Sequence, residues 1–488
     1  MFAIYTLAVT AMSANECETT LGEPRTTLIT RYRSATLRAL VAADVFLTRD
    51  MEVLQALVLF LFADPESSLT LSLVSVAVKI AQVMELHCTV MDPKLTFFER
   101  EMRIRLWWQL RGLESRATCA ATTMKARPHP DFGDQRPPLN VNDSDLHPDM
   151  TEPPVEHTGP TEMLLTLMKF EVTNWTQNSA LGVSLFQSIR NGPIRGKTLF
   201  EAEDKAIDEL EHLYQSKHLC HTDTRIPMHR LARSMGRRAV ASMRFKVHHP
   251  RGRAKINGGE VYATREELDN MFEWAVIALE GKEACSQTRF APYLYNHMTA
   301  KFEVDTYVYM ISELRRRCSG SLVDRAWKLV AQLYANHPEL VNCGGGSSSN
   351  NGGSSDTSNT NNSDESLSRN CAHMIFSNSP SCYTGGNSSE KTLSPFLFAL
   401  GDLTLDAWQA RGEQLLLERG GLRDYDATPS FIHLLLDKRA QANKEAANAA
   451  ATSCLIPSDM AHLDILDGLG TGDDHDMDWH YWNKFLQI

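Results

Sequence analysis

The sequence has no pair of cysteines spaced C-x-x-C; its ten cysteines stand scattered at 17, 88, 119, 220, 285, 318, 343, 371, 382 and 454. Scatter of this kind in a long chain argues against a disulfide framework and fits buried thiols in a reducing compartment. It also lacks a run of apolar residues long enough to span a bilayer. The longest, Ala56 to Ala63, falls far short of the ~20 residues that a spanning helix needs. No positively charged leader precedes the apolar start MFAIYTLAVTAMSA, so a secretory signal is not expected. G-x-S-x-G, a phosphate-binding glycine loop and H-E-x-x-H are all absent, which leaves no recognisable nucleophile, phosphate cradle or hydrolytic metal and no expectation of an enzyme. Positive charge is in deficit too, with 49 Lys+Arg against 60 Asp+Glu and a net charge of -11. The chain as a whole is repelled by phosphate backbones and anionic lipid, so any nucleic-acid contact needs a local basic patch.

What remains is a chain of 488 residues, 43% hydrophobic, with ample material for a large core. Strand signals are sparse and no internal repeat occurs, so the fold is expected to be all-α. Apolar residues fall at helical spacing in Leu37, Leu40, Val41 and Val45, in Leu54, Leu57, Val58 and Leu61, and in Leu73, Val76, Ala77, Ile80, Met84 and His87. Thr96 followed by Glu99 reads as a capping box opening a helix from Phe97 to about Arg116. Along that helix Phe98, Met102, Leu106, Leu110, Leu113 and Ala117 form the expected core stripe. The pairs Glu99–Arg103 and Glu101–Arg105 mark an outer, solvated face. Trp107 and Trp108 are adjacent and diverge on a helix, so at least one is expected to pack against a neighbouring helix.

Eight prolines between 128 and 160 exclude helix there. Helical patterning resumes from Thr161 to about Asn336, with stripes of Val304, Val308, Ile311 and Leu314 and of Leu322, Trp327, Val330 and Leu333. Residues 341–392, with their run of Gly, Ser and Asn, read as a disordered linker, and 393–445 as a helical segment packing on the main domain. Residues 446–488 read as an acidic and aromatic tail. Its Trp479, Tyr481, Trp482, Phe485 and Leu486 among seven Asp residues are candidate activation contacts that fold into a partner's groove; a terminal helix docked on its own domain is the alternative.

Three clusters hold side chains suited to other chemistry. Asp143, Asp145, Asp149 and Glu152 resemble a calcium loop. Pro148 and Pro154 occupy the decisive positions, however, so a turn braced by its own side chains is expected instead. His212, His218, Cys220, His221 and His229 lack the paired spacing of a zinc site, and no metal is assigned to them. Ten Lys or Arg and no acid lie between Asp223 and Glu260, and within that run Arg233, Arg237 and Arg238 are the candidate phosphate contacts.

The phrases FAIYTLAVTAMS (2–13), LGEPRTTLITRYRSATLRAL (21–40), VLQALVLFLF (53–62), FFEREMRIRLWWQL (97–110) and RPPLNVNDSDLHPDMTEPPVEHTGPTEM (136–163) occur in order over residues 1–340. Together they resemble the middle homology region of fungal-specific transcription factors. That resemblance implies an all-helical regulatory domain in the nucleus, with other transcription proteins as partners. The alternative reading, from a different class, is a small-molecule sensor whose helical bundle holds an apolar metabolite as effector, and a homodimer and no membrane complete the expected partners. The family carries zinc in an N-terminal six-cysteine cluster that binds DNA. No cysteine here precedes Cys17 and no C-x2-C-x6-C occurs, so neither zinc nor specific DNA binding transfers to any residue, and no cofactor is expected in this chain. The resemblance therefore implies DNA contact through an absent N-terminal portion or a partner, or a shortened form that titrates full-length proteins. Arg111 and Gly112 depart from the apolar pattern expected at the end of the Phe97 helix.

Overall fold

Short polar side chains set several of the helix starts in this chain. In the computed structural model, which describes residues 1–65, 67–90, 93–120, 133–191, 197–249, 264–291, 303–342, 389–419 and 428–452, Thr96 and Glu99 form the expected box. The Thr96 N–H donates to Glu99 Oε2 at 2.8 Å and the Glu99 N–H to Thr96 Oγ1 at 3.2 Å. Ser13 with Glu16 and Thr264 with Glu267 repeat the device, and Asp50 and Ser67 cap by accepting from the N–H groups of Glu52 and Thr70. Each satisfies donors that the first turn of a helix leaves without partners.

Helix is the prevailing structure of the described residues, and no strand is among them. Contacts divide them into two units. The first holds α1 (Phe2–Ala11), α2 (Ala14–Glu16), α3 (Arg25–Ala42), α4 (Met51–Ala63), α5 (Ser68–Val83), α6 (Phe97–Ala120), α7 (Leu164–Asn178), α8 (Ala180–Asn191), α9 (Lys197–Leu213) and α10 (Pro227–His248). One core gathers Leu54, Leu57, Val58 and Leu61 of α4, Val74, Ala77 and Ile80 of α5 and Ile104, Trp107, Trp108 and Leu110 of α6, with Phe170 of α7. A second core joins α7 through α10 around Trp175, Ile207, Leu210, Tyr214 and Val240. α1 packs on α3 and α4, where the hydroxyls of Thr6 and Thr36 meet at 3.0 Å in the interior.

The second unit, residues 256–280 and 301–488, includes most of α11 (Arg265–Ser286), then α12 (Val304–Leu314), α13 (Ser321–Asn336), α14 (Glu339–Asn342), α15 (Ser389–Arg419) and α16 (Ser430–Thr452). α12 is apolar and buried nearly all round, as Tyr307 through Ile311 demonstrate. Trp327 meets Trp408 edge-on at 5.2 Å, and Tyr334 stacks on Phe431 at 5.1 Å while its hydroxyl reaches Thr404 Oγ1 at 2.9 Å. The expected linker lies almost wholly outside the described residues, and the aromatic tail does so entirely.

Two expectations need correcting. Val41 is 66% exposed, because α3 ends one residue later and its core-facing positions are Leu28, Thr36 and Leu40. In α6 the buried face is rotated from the expected stripe. Ile104, Trp107, Trp108, Leu110, Arg111, Leu113 and Glu114 are buried, whereas Met102 and Leu106 are half-buried. The physical reason is that both tryptophans are covered on different neighbours, so the helix is enclosed over a wide arc that a single stripe cannot describe. Glu101, expected on the solvated face, is fully buried.

Candidate functional site

The proline-rich segment that follows α6 is bound back across it as a strap, and this joins the two most distinctive phrases of the sequence. The strap begins at Gly133, whose φ of +81° and close approach to the His87 carbonyl leave no room for a Cβ, which would stand 2.1 Å from that oxygen. Asp134 donates its N–H to the same carbonyl at 3.1 Å, and Thr89 donates its N–H to Asp134 Oδ1 at 2.8 Å. Gln135 Nε2 then donates to the Cys88 carbonyl at 2.7 Å.

Glu101 is the hub. Its Oε2 accepts from Arg136 Nη2 at 2.8 Å, its Oε1 from the Leu139 N–H at 3.0 Å, and Arg105 Nε lies 3.5 Å away. Two turns further along α6, Trp108 Nε1 donates to the Arg136 carbonyl at 2.7 Å. A strap rich in proline has few backbone donors of its own, so α6 supplies the polar partners that a buried segment requires. Arg105 also bonds Asp143 Oδ1 at 2.9 Å.

Beyond that point the strap braces itself. Asn140 Nδ2 donates to the carbonyls of His157 and Gly159 at 2.7 and 2.9 Å, and Asn142 donates its N–H to Asp145 Oδ2 at 2.7 Å. His157 lies 2.8 Å from Asp145, and this hydrogen bond lowers the Asp145 carboxyl below the ordinary aspartate range. Asp143 and Asp145 are thus engaged with Arg105, His157 and the backbone, which is the self-braced turn expected in place of a calcium loop.

The end of α6 carries the two residues that depart from the apolar pattern. Arg111 is 4% exposed, ion-paired with Glu114 one turn on, and its guanidinium lies 5.5 Å from the Trp107 ring centroid. Burial lowers the Arg111 pKa and Glu114 counters it. Gly112 leaves space for Lys169 of α7, whose Cε would stand 3.0 Å from a Cβ added there. The Lys169 ammonium lies 5.8 Å from the Phe62 centroid and 6.0 Å from that of Phe170, and makes no hydrogen bond or ion pair. Burial first, and the nearby Arg116 charge second, lower its pKa to about 8. Sequence reasoning did not single out Lys169, because a lone lysine in an amphipathic stretch carries no spacing signal.

On α10 the three candidate phosphate contacts have three different surroundings. Arg233 Nη1 donates to Thr222 Oγ1 at 3.1 Å, the stem of Arg238 lies against Gly281, and Arg237 is exposed. Of the histidine and cysteine cluster, His218 meets Glu171 at 3.3 Å and His229 Nδ1 accepts from the Asp223 N–H at 3.0 Å. Trp479, Tyr481, Trp482, Phe485 and Leu486 lie outside the described residues. Among the described residues no helix is long and apolar enough to cross a membrane.

No family model matches the chain, and no solved structure does. Curated sequences do. The aurofusarin cluster transcription factor aurR2 of Gibberella zeae is 27% identical over 100% of this chain and 68% of its own length. The pyriculol/pyriculariol biosynthesis cluster transcription factor 1 of Pyricularia oryzae is 30% identical over 70% of this chain, and the transcriptional regulator AacuB of Aspergillus aculeatus 27% identical over 69%. The chain spans less than half the length of those two, 46% and 45%. These relatives fit a fungal-specific transcription factor family, the one whose middle homology region the sequence resembles.

Proposed function

We propose that this chain is the helical regulatory portion of a fungal transcriptional regulator of a biosynthetic gene cluster, working in the nucleus through protein contacts rather than catalysis. The observation that carries the reading is the end-to-end similarity to a cluster transcription factor, together with names of the same kind on further relatives. The strap lock supports it. Glu101 and Trp108 on one phrase hold Arg136 and Leu139 on another, so the phrases that carry the resemblance form one structural element. In this reading the tail from 458 onward supplies the activation contacts Trp479, Tyr481, Trp482, Phe485 and Leu486, its acids steering encounter and its aromatics holding the partner. Zinc and base-specific contacts belong to another part of the assembled regulator, and phosphate contact in this chain falls to exposed Arg237.

Fusing the chain to an unrelated DNA-binding domain tests this directly. We expect reporter output to change at least fivefold relative to the DNA-binding domain alone, and replacement of Trp479 and Trp482 by Ala to remove most of the change. A fusion that expresses, enters the nucleus and leaves the reporter unmoved would overturn the reading.

A further inference from the structure

The connection between α12 and α13 runs Arg315, Arg316, Arg317, Cys318, Ser319, Gly320, and the regulatory reading makes no use of it. Ser319 is the one serine or threonine of the sequence with arginines both three and two places before it. Adjacent guanidinium groups just ahead of a hydroxyl form a local charge pattern that an acidic groove reads through paired hydrogen bonds. The hydroxyl is accessible, because Ser319 and Gly320 are exposed and lie outside both helices. Arg316 is exposed as well. Arg317 is half-buried and pairs with Glu313 at 3.0 Å and with Asp269, so a reader of the two arginines must replace those carboxylates with its own. Cys318 is buried, and docking requires the connection to lift by that residue, a local opening of a short loop.

The backbone after Ser319 suits an anion. Gly320, at φ +116°, is the N-cap of α13 and has no side chain to offer its first turn. The first bond of that helix runs from the Asp324 N–H to the Gly320 carbonyl at 3.1 Å, which leaves the N–H groups of Ser321, Leu322 and Val323 outside the helical ladder. The Asp324 carboxylate is taken by Arg411 at 2.7 Å. Ser34 provides the contrast. It too is exposed and follows two arginines, Arg31 and Arg33, but all three lie inside α3, with Arg31 bonded to Glu23 at 2.6 Å and Arg33 to Asp64 at 3.0 Å. Drawing Ser34 out as extended chain would break that helix.

We propose that Ser319 is a phosphorylation site for a serine kinase that reads Arg316 and Arg317, and that the phosphate settles on the open start of α13. In the transfer the Ser319 hydroxyl oxygen attacks the γ-phosphorus of magnesium-bound ATP, the bond to the β-phosphate oxygen breaks, ADP leaves, and the hydroxyl proton passes to the kinase's own carboxylate. The product is a dianion one residue before the N-cap. There the helix dipole and the first-turn N–H groups favour negative charge, and the arginines just before it balance that charge.

The inference stands apart from the regulatory reading, since modification is measured on the chain alone and a silent reporter leaves it unaffected. The folded full chain is incubated with magnesium-ATP and the catalytic subunit of cyclic-AMP-dependent protein kinase, and the product is mapped by mass spectrometry. We expect about one phosphate per chain at Ser319, none at Ser34, and at least tenfold slower incorporation by Arg316→Ala. In the phosphorylated chain, amide hydrogen exchange at residues 321–323 should slow at least threefold. Ser319 left unmodified in the folded chain while a peptide of residues 313–323 is modified under the same conditions, equal rates for the unaltered chain and Arg316→Ala, or unchanged exchange at 321–323 would each overturn the proposal. The peptide and exchange comparisons use the unaltered sequence, so they decide the matter even if the variant fails to fold.

Discussion

Arg111 and Lys169 lie on neighbouring helices around one core and are treated in opposite ways. Arg111 is the more deeply covered, yet its own helix provides Glu114 one turn away and Trp107 beneath the guanidinium. Lys169 is half-buried and receives two phenyl rings and no anion. The difference teaches that burial alone does not identify a site: a covered charge with a local partner is a packing solution, whereas one without a partner is a cost that the fold keeps.

The largest effect should come from breaking the solved case. Glu114→Met removes the Glu114 counter-charge of a covered guanidinium at similar volume, which costs about 3–5 kcal/mol. Replacing both residues, Arg111→Met with Glu114→Met, should restore most of that loss, because a well-packed apolar pair substitutes for a buried ion pair at little net cost. Urea denaturation of the three proteins, followed by circular dichroism, checks the order single variant below double variant. A double variant as unstable as the single one would show that the loss does not come from the Arg111 charge.

How much of this was legible beforehand follows the same division. The capping box at Thr96 and Glu99, the α4 stripe and the exclusion of α-helix from the described part of the proline-rich segment, which has one 3-10 turn at Asp143–Asp145, are local features written in spacing. Glu101 was misplaced because its spacing to Arg105 satisfies a surface-pair rule. The groups that bury it, Arg136 and the Leu139 N–H, come from a segment more than thirty residues away that no helical periodicity reveals. Trp107 and Trp108 were read as diverging, but the covering of both depends on His87 beyond α5, on α7 and on the strap together. Lys169 was invisible for the converse reason. Its distinguishing property is a missing partner, and a sequence does not record which residues fail to meet.

The unsolved case gives a smaller effect of opposite sign. The Lys169 ammonium titrates at about 8 in the fold, against about 10.4 for a free lysine. Between those values the unfolded chain binds more protons than the folded one, so stability rises with pH across that window. Below it the charged form destabilises the fold by a constant amount. Lys169→Met should therefore raise stability at pH 7 by roughly 1–2 kcal/mol, after discounting for solvent reach at a half-buried position. The advantage should close as the pH climbs past about 10. Denaturation midpoints of both proteins from pH 6 to pH 10.5 check this, and parallel curves would mean that Lys169 is not destabilising when charged.

The smallest effect sharpens the comparison at the level of the backbone, where two further residues sit in conformations they do not favour. α3 and α5 both end on an acid in the left-handed region, Asp44 at φ +48° and Glu85 at φ +60°, and each is followed by a buried residue, Val45 and Leu86. The pattern of bonds is the same at both ends. The Val45 N–H returns to the Leu40 carbonyl at 3.1 Å and the Leu86 N–H to the Ala81 carbonyl at 3.0 Å, the closure that glycine ordinarily provides. Aspartate tolerates this region better than a longer acid, because its short side chain bonds the nearby backbone. Glu85→Gly should accordingly stabilise by about 0.5–1 kcal/mol, the strain relieved less the added freedom of the unfolded chain, and Asp44→Gly by less than that. Thermal melts of the two variants side by side decide it. A gain at Asp44 equal to or larger than that at Glu85 would mean that side-chain length does not set the cost, and that the covered Val45 and Leu86 hold both turns equally.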